Sequence, residues 1–162
     1  MADFAYTYGL LKIGLGDVHW DTDDIRFILC MNTTTATVND GTGRDATFIS
    51  GITLDEMDGD SDGLARPPVF ASRDQLTIIT NQVTADVSNN RAEIDADNFT
   101  VSKLLAGTRA IQGIIVYFHV TNDAASVPLL WIDSGGFPFT ANGGDLVLSW
   151  NAEGLGQITS AG

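Results

Sequence analysis

The segment Asp58-Gly59-Asp60-Ser61-Asp62-Gly63 comes nearest, in residue types and spacing, to a chemical site. Carboxylates at every second position before a glycine form the first half of an EF-hand loop, in which oxygen ligands surround Ca²⁺. The twelfth position, where a glutamate completes the cage, is Val69, and no helical pattern flanks the segment. We therefore predict a solvated acidic turn and no metal site, with Asp58, Asp60 and Asp62 as the Ca²⁺ candidates.

The same residues contain Gly59-Asp60-Ser61-Asp62-Gly63, which fits the nucleophile elbow of hydrolases. That elbow lies between a buried parallel strand and a helix, and the flanking residues predict neither. The two aspartates beside Ser61 also oppose the negative charge of an oxyanion intermediate. We predict no catalytic residue here.

A second glycine motif, Gly41-Thr42-Gly43-Arg44-Asp45-Ala46, fits a dinucleotide fingerprint. Such a fingerprint needs a helix immediately after it, because the helix N-terminus receives the pyrophosphate. The residues that follow, 47–52, have the pattern of a strand instead. A glycine-rich hairpin turn is the better interpretation, and we predict no cofactor.

The histidines and the nearby aspartates also give little support for catalysis. His19 and His119 have no partner at ligand or triad spacing, and His119 lies in a strongly apolar run. Asp21, Asp23 and Asp24 lie in one turn, whereas the paired carboxylates of glycosidases come from separate elements. We predict that the protein is not an enzyme. A small hydrolase or carbohydrate-active enzyme on a β-sandwich is the alternative from that class.

The apolar residues alternate or form continuous runs between glycine, asparagine and aspartate, which predicts an all-β chain. Many short strands favour a jelly roll or a related two-sheet β-sandwich, with an immunoglobulin-like sandwich as the alternative. We expect a single domain over residues 1–162 with an acidic loop at 55–68. The predicted strands are Tyr6–Ile13, Ile25–Met31, Ala46–Ile52, Leu76–Thr80, Val83–Val87, Arg91–Ile94, Phe99–Leu104, Gly113–Thr121, Leu129–Asp133, Leu146–Trp150 and Leu155–Thr159.

The charge balance is strongly acidic, with 21 acidic and 8 basic residues and a formal net charge of −13. A phosphate backbone is bound by clustered lysine and arginine, so we expect no nucleic acid partner. The longest apolar run, Ile114–Phe118, is too short to span a membrane, and the first residues contain no basic leader. We expect synthesis in a cytoplasm and no membrane partner.

The last third of the chain carries a family resemblance. Its runs Ile114–Thr121, Pro128–Asp133 and Asp145–Gly154, in this order, resemble small structural proteins encoded among the head and tail genes of tailed bacteriophages. The similarity extends upstream through Phe4–Gly14, Val18–Arg26 and Asp95–Thr100. The resemblance implies a virion structural protein made in a bacterial host.

Within that group, the resemblance implies a decoration or cement protein on the outer surface of the capsid. Its partner is then the major capsid protein, whose subunit contacts it stabilises, and a homotrimer suits the threefold points of a shell. The acidic charge favours the outer face over the DNA-filled interior. The alternative is a tail or head-fibre adsorption module that binds a host receptor or glycan, with Trp20 or Trp131 as the stacking residue.

The aromatic residues near the N-terminus are the interface candidates, since aromatic side chains are enriched at interface centres. Phe4, Tyr6 and Tyr8 alternate on one face of the predicted opening strand, and Trp20 follows in the next turn. The segment 4–13 is therefore a candidate interface strand that lies against a neighbouring subunit. Packing in the protein's own core is the alternative.

Overall fold

The computed structural model describes residues 3–36, 43–57, 78, 81–101, 104, 106–151 and 154–159. The elements in chain order are β1 (Phe4–Ala5), α1 (Thr7–Leu15), β2 (Ile25–Met31), a 3₁₀ helix (Ile49–Gly51), β3 (Gln82–Asp86), a second 3₁₀ helix (Val87–Asn89), β4 (Arg91–Asp95), β5 (Phe99–Val101), β6 (Ala110–Phe118), β7 (Val127–Ile132), β8 (Phe139–Thr140), β9 (Leu146–Leu148) and β10 (Gly156–Thr159).

The largest sheet is antiparallel and has the strand order β1-β7-β6-β2, with β8 paired to the start of β6. Strand β6 lies in the middle, between β2 and β7, where Ile115 is the partner of both Ile28 and Trp131. Two smaller antiparallel sheets have the orders β10-β4-β3 and β5-β9. This arrangement confirms the all-β prediction, whereas the jelly-roll connectivity and the single domain stay predictions.

Both faces of the largest sheet are covered, which explains why β2 and β6 are almost continuously apolar. Successive side chains of a strand point to opposite faces. Phe27 of β2 therefore packs in a first core that includes Val101 and Leu148 from the small β5-β9 sheet. Its neighbour Ile28 packs in a second core on the other face, against Ile49 of the first 3₁₀ helix.

The predicted strand Tyr6–Ile13 is wrong, because Thr7–Leu15 forms the helix α1. The helix ends at Gly16, whose φ of 73° lies in the left-handed region that favours glycine. The amide of Gly16 donates to the carbonyl oxygens of Ile13 and Lys12. Of the candidate interface strand 4–13, Phe4 and Ala5 alone pair as a strand, β1, and Tyr8 lies in the helix, so Phe4, Tyr6 and Tyr8 do not share one face of a strand.

The predicted strand Ala46–Ile52 is also wrong. Residues 49–51 form a 3₁₀ helix, and the chain turns at Gly43–Ala46 through a 2.8 Å hydrogen bond from the Ala46 amide to the Gly43 carbonyl. Ala46, Ile49 and Ile52 are all buried in the second core. Ile49 and Ile52 bound the 3₁₀ turn, in which the Ile52 amide donates to the Ile49 carbonyl oxygen at 3.0 Å, and this turn directs both side chains toward the second core.

Most other strand predictions are confirmed within a few residues of each end. The predicted strand Leu76–Thr80, apart from Ile78, and residues 58–68 of the acidic loop lie outside the described residues. The part of that loop at residues 55–57 runs beside the edge of β2. There the Met31 amide donates to the Asp55 carbonyl oxygen at 2.7 Å, and the Met57 amide donates to the Leu29 carbonyl oxygen at 3.0 Å.

Candidate functional site

Two of the four interface candidates, Tyr6 and Trp20, are buried within the chain. Tyr6 is fully buried in the second core, and this burial raises the pKa of its hydroxyl. Trp20 is only 4% exposed, and its indole N–H donates to the Asp95 carbonyl oxygen at 2.9 Å. Neither ring is accessible to a neighbouring subunit in this conformation.

The other two candidates, Phe4 and Tyr8, are partly exposed but pack against rings and cations of the same chain. The Phe4 ring lies 5.2 Å from the Tyr6 ring, with the Arg44 guanidinium 4.7 Å above it. Tyr8 lies 6.0 Å from Phe48 in an edge-on arrangement. An interface role at these two positions stays a prediction.

The outward side of α1 carries an apolar surface that sequence reasoning missed. Leu10, Leu11 and Leu15 are 56%, 49% and 65% exposed, and we call them the leucine surface. The opposite side of the helix touches β7 so closely that a Cβ atom at Gly9 would lie 2.5 Å from the Pro128 carbonyl oxygen. The backbone contact at Gly9 therefore fixes the helix with Leu11 and Leu15 directed outward, while Leu10 borders a groove beside β1 and β7.

A cleft of about 780 Å³ lies between the turn after β7, strand β9 and strand β10. Phe137, Phe139 and Trp150 line it, and all three rings are partly exposed. We call this the aromatic cleft. The ring centroids of Phe137 and Phe139 are 5.5 Å apart, with 44° between the ring planes.

Hydrogen bonds fix the cleft wall at Trp150 and the rim at Asp3. The indole N–H of Trp150 donates to the Asp97 carbonyl oxygen at 2.8 Å, and its amide donates to Asn98 Oδ1 at 3.1 Å. The Asp3 carboxylate accepts hydrogen bonds from the amides of Asp133 and Ser134 at 2.8 and 3.0 Å. The Ser134 hydroxyl also donates to it, at 2.5 Å.

The tryptophan that is available for stacking on a ligand differs from the two predicted from the sequence. Trp131, one of the two predicted stacking residues, is fully buried, and Trp20 is nearly so. Trp150, which the sequence placed at the end of a strand, is partly exposed in the cleft instead. Its position cannot be read from local sequence, because the cleft walls come from segments far apart in the chain.

The predicted chemical motifs are not assembled into a site by the described residues. The Ca²⁺ candidates Asp58, Asp60 and Asp62 lie outside them. His19 Nδ1 lies 3.9 Å from an Asp23 carboxylate oxygen on an exposed turn. Among the described residues no three histidine, cysteine, aspartate or glutamate side chains are grouped so that they could hold a metal ion.

The remaining histidine and the helices add no further site. The ring of His119 packs edge-on 6.1 Å from that of Tyr117. None of the helices in the described ranges has the length and apolar character needed to cross a membrane.

Comparison with protein families, curated proteins and solved structures found no match for this chain. The resemblance to phage virion proteins therefore stays an expectation. The functional argument rests on the leucine surface, the acidic charge and the aromatic cleft.

Proposed function

We propose that this protein is a decoration protein of a tailed-phage virion, which binds the outer surface of the head and stabilises contacts between major capsid protein subunits. The observation that carries the proposal is the leucine surface. Three leucines of one short helix are 49% to 65% exposed, and Leu11 and Leu15 lie one turn apart on the same side of it. Exposed apolar side chains of this kind gain free energy when a partner covers them. The resemblance of the sequence supports the choice of a virion as the partner.

The energetics of such an attachment are favourable. Burying a fully exposed leucine contributes roughly 1.5–3 kcal/mol, so three half-exposed leucines offer about 3–5 kcal/mol per chain. This is a weak contact for one chain. A homotrimer with three such surfaces binds a multivalent shell far more tightly, because the second and third contacts are intramolecular. Binding to assembled subunits alone then shifts the equilibrium toward the assembled capsid.

The negative charge of the protein supports a position on the outer surface of the capsid, and it predicts that attachment weakens as the salt concentration rises. A net charge of −13 is repelled by packaged DNA and is attracted to basic patches on the outside of a shell. Complementary charges mainly speed association, and salt screens them. Attachment that is insensitive to ionic strength would contradict this electrostatic part of the proposal.

The experiment is docking of purified protein to undecorated capsids, followed by sedimentation. The test variant combines Leu11→Gln with Leu15→Gln, which removes apolar contact from exposed positions. The matched control is Val87→Gln, because Val87 is 82% exposed in the turn between β3 and β4. We expect the double variant to lose at least tenfold in affinity and the control to bind like the parent. Equal binding by all three proteins would refute docking through the leucine surface.

The oligomeric state is tested separately, by native mass spectrometry of the free protein and by chemical cross-linking of the capsid-bound protein. The proposal expects a trimer, either in solution or on the capsid. A protein that stays monomeric in both places would remove the multivalent part of the argument and leave a contact too weak for a stable cement.

A further inference from the structure

We propose that the aromatic cleft binds a neutral saccharide. This inference goes beyond attachment to a capsid and does not depend on it, since the cleft lies at β8, β9 and β10 and the leucine surface lies on α1. The argument rests on the shape of the cleft, its aromatic wall, its charge and its polar rim.

The shape and the wall of the cleft suit a ring-shaped ligand. Its volume of about 780 Å³ lies within the range of ligand pockets, roughly 300–1,000 Å³. Phe137, Phe139 and Trp150 present partly exposed ring surfaces to the cleft. The C–H faces of a sugar ring are apolar and pack on such surfaces, while its hydroxyl groups need polar partners nearby. Because Asp97 and Asn98 hold Trp150, this wall is formed before a ligand arrives.

The charge of the cleft selects against anionic ligands. Among the described residues that line it, Asp3 is the single ionisable side chain, and no lysine or arginine is present. A phosphate, sulfate or carboxylate group would therefore meet no counter-charge and a net negative protein. The Asp3 carboxylate already accepts three hydrogen bonds from Asp133 and Ser134, and these occupy most of its acceptor positions. An anionic ligand is therefore disfavoured, and the aromatic wall and the polar rim together suit an uncharged saccharide.

The rim supplies polar groups and leaves the cleft open. Ser149 lines it with a hydroxyl group of the kind that hydrogen-bonds sugar hydroxyls. Gly135 and Gly136 form the facing turn with φ angles of 69° and 129°, a region that favours glycine. A Cβ atom at either position would meet nothing within 4 Å. This side of the cleft therefore lacks side chains that would fill it.

The experiment follows intrinsic tryptophan fluorescence during titration of the whole protein. Because Trp20 and Trp131 are buried, a ligand in the cleft changes chiefly the emission of Trp150. The probes are glucose, galactose, mannose, rhamnose and N-acetylglucosamine, with their disaccharides, up to about 20 mM, which exceeds a millimolar Kd. Glucose 6-phosphate, sialic acid and an apolar decapeptide are the comparison ligands.

The variants separate stacking from folding. Phe137→Leu removes the ring face but keeps apolar bulk, and Phe137→Tyr keeps the ring. We expect at least one neutral saccharide to bind, with about tenfold weaker affinity in Phe137→Leu and parent-like affinity in Phe137→Tyr. The proposal is overturned if no neutral saccharide binds, if Phe137→Leu binds as the parent does, or if a comparison ligand binds as tightly. Capsid docking is measured on the same variants and is expected to be unchanged.

Discussion

In the second core, the indole ring of Trp131 on β7 fills the space that a side chain at Gly113 on β6 would need. A Cβ atom at Gly113 would lie 2.8 Å from Cζ2 of the indole and 2.6 Å from the Ile132 carbonyl oxygen. The missing side chain of the glycine is therefore replaced by the fully buried ring of the tryptophan. Backbone on one side and a rigid ring on the other leave little room for relaxation.

Gly113→Ala is accordingly expected to lower the free energy of unfolding by about 1–3 kcal/mol, the usual cost of overpacking a core. Gly156→Ala on β10 is the matched control, since a Cβ atom there meets nothing within 4 Å. Urea unfolding of both variants measures the difference. If the two variants were equally stable, the indole would not be fixed over Gly113.

Helix α1 offers a second glycine pair with opposite expected outcomes. Gly9→Ala places a methyl group 2.5 Å from the Pro128 carbonyl oxygen and is expected to displace the helix from β7. Gly14→Ala meets nothing within 4 Å, and alanine is about 0.8–1.0 kcal/mol better than glycine in a helix interior. We therefore expect a lower melting temperature for Gly9→Ala and an equal or higher one for Gly14→Ala. The reverse order would contradict the docking of α1 described above.

Asp55 joins the segment at residues 53–57 to the end of β2 and to Arg109. Its carboxylate accepts hydrogen bonds from the Arg109 guanidinium and the Thr33 hydroxyl, and its side chain is 12% exposed. Burial acts to raise the pKa of Asp55, but these hydrogen bonds and the Arg109 charge outweigh it and lower the pKa.

Arg109→Ala is expected to cost about 1–3 kcal/mol of unfolding free energy, since it leaves a mostly buried carboxylate without its charged partner. Lys12→Ala is the control, because it removes an ion pair with Asp17 at an exposed helix end, where such pairs contribute little. Chemical denaturation compares the two variants. A loss in Lys12→Ala as large as that in Arg109→Ala would show that burial of the Asp55 pair is irrelevant.

Asp86 makes the stability of the β3–β4 hairpin depend on pH. Its carboxylate accepts hydrogen bonds from the Ser88 hydroxyl and the Asn89 side chain, both at 2.6 Å, and from Arg91 Nε at 3.0 Å. The hydrogen bonds from Ser88 and Asn89 are the main causes that lower its pKa from 3.8 to about 2.

A pKa lower in the folded than in the unfolded state means that ionised Asp86 stabilises the fold above pH 3.8. This contribution is lost as the pH falls toward 2. Asp86→Asn should therefore be less stable than the parent at neutral pH, and the difference should shrink between pH 4 and pH 2. Urea unfolding across that range measures it, and a constant difference would exclude the Asp86 charge as the cause.

Much of the sheet could be predicted from sequence, because β2, β6 and β7 are apolar runs, rich in β-branched residues, that lie between turn residues. Helix α1 could not, since it has nine residues, two internal glycines and an outward face of leucines in place of polar residues. The alternation of Phe4, Tyr6 and Tyr8 fits a strand equally well. Gly16 was the one local signal of a helix end.

The leucine surface and the aromatic cleft could not be predicted either, because both depend on tertiary contacts between distant parts of the chain. The leucine surface depends on which side of α1 touches β7, and this is decided by the contact of Gly9 with Pro128. The aromatic cleft depends on how the turn after β7 lies against β9 and β10. Burial of Trp20 and Trp131 likewise depends on tertiary packing, so their sequence neighbours did not reveal it.

The most direct test of the virion proposal is the molar ratio of this protein to the major capsid protein in purified particles of the phage that the proposal takes as its source. Quantitative mass spectrometry of intact particles measures this ratio. A decoration protein that covers the shell predicts a ratio near one or a simple fraction of one. A trace ratio would move the protein to the tail or a head fibre, and complete absence would contradict the virion assignment itself.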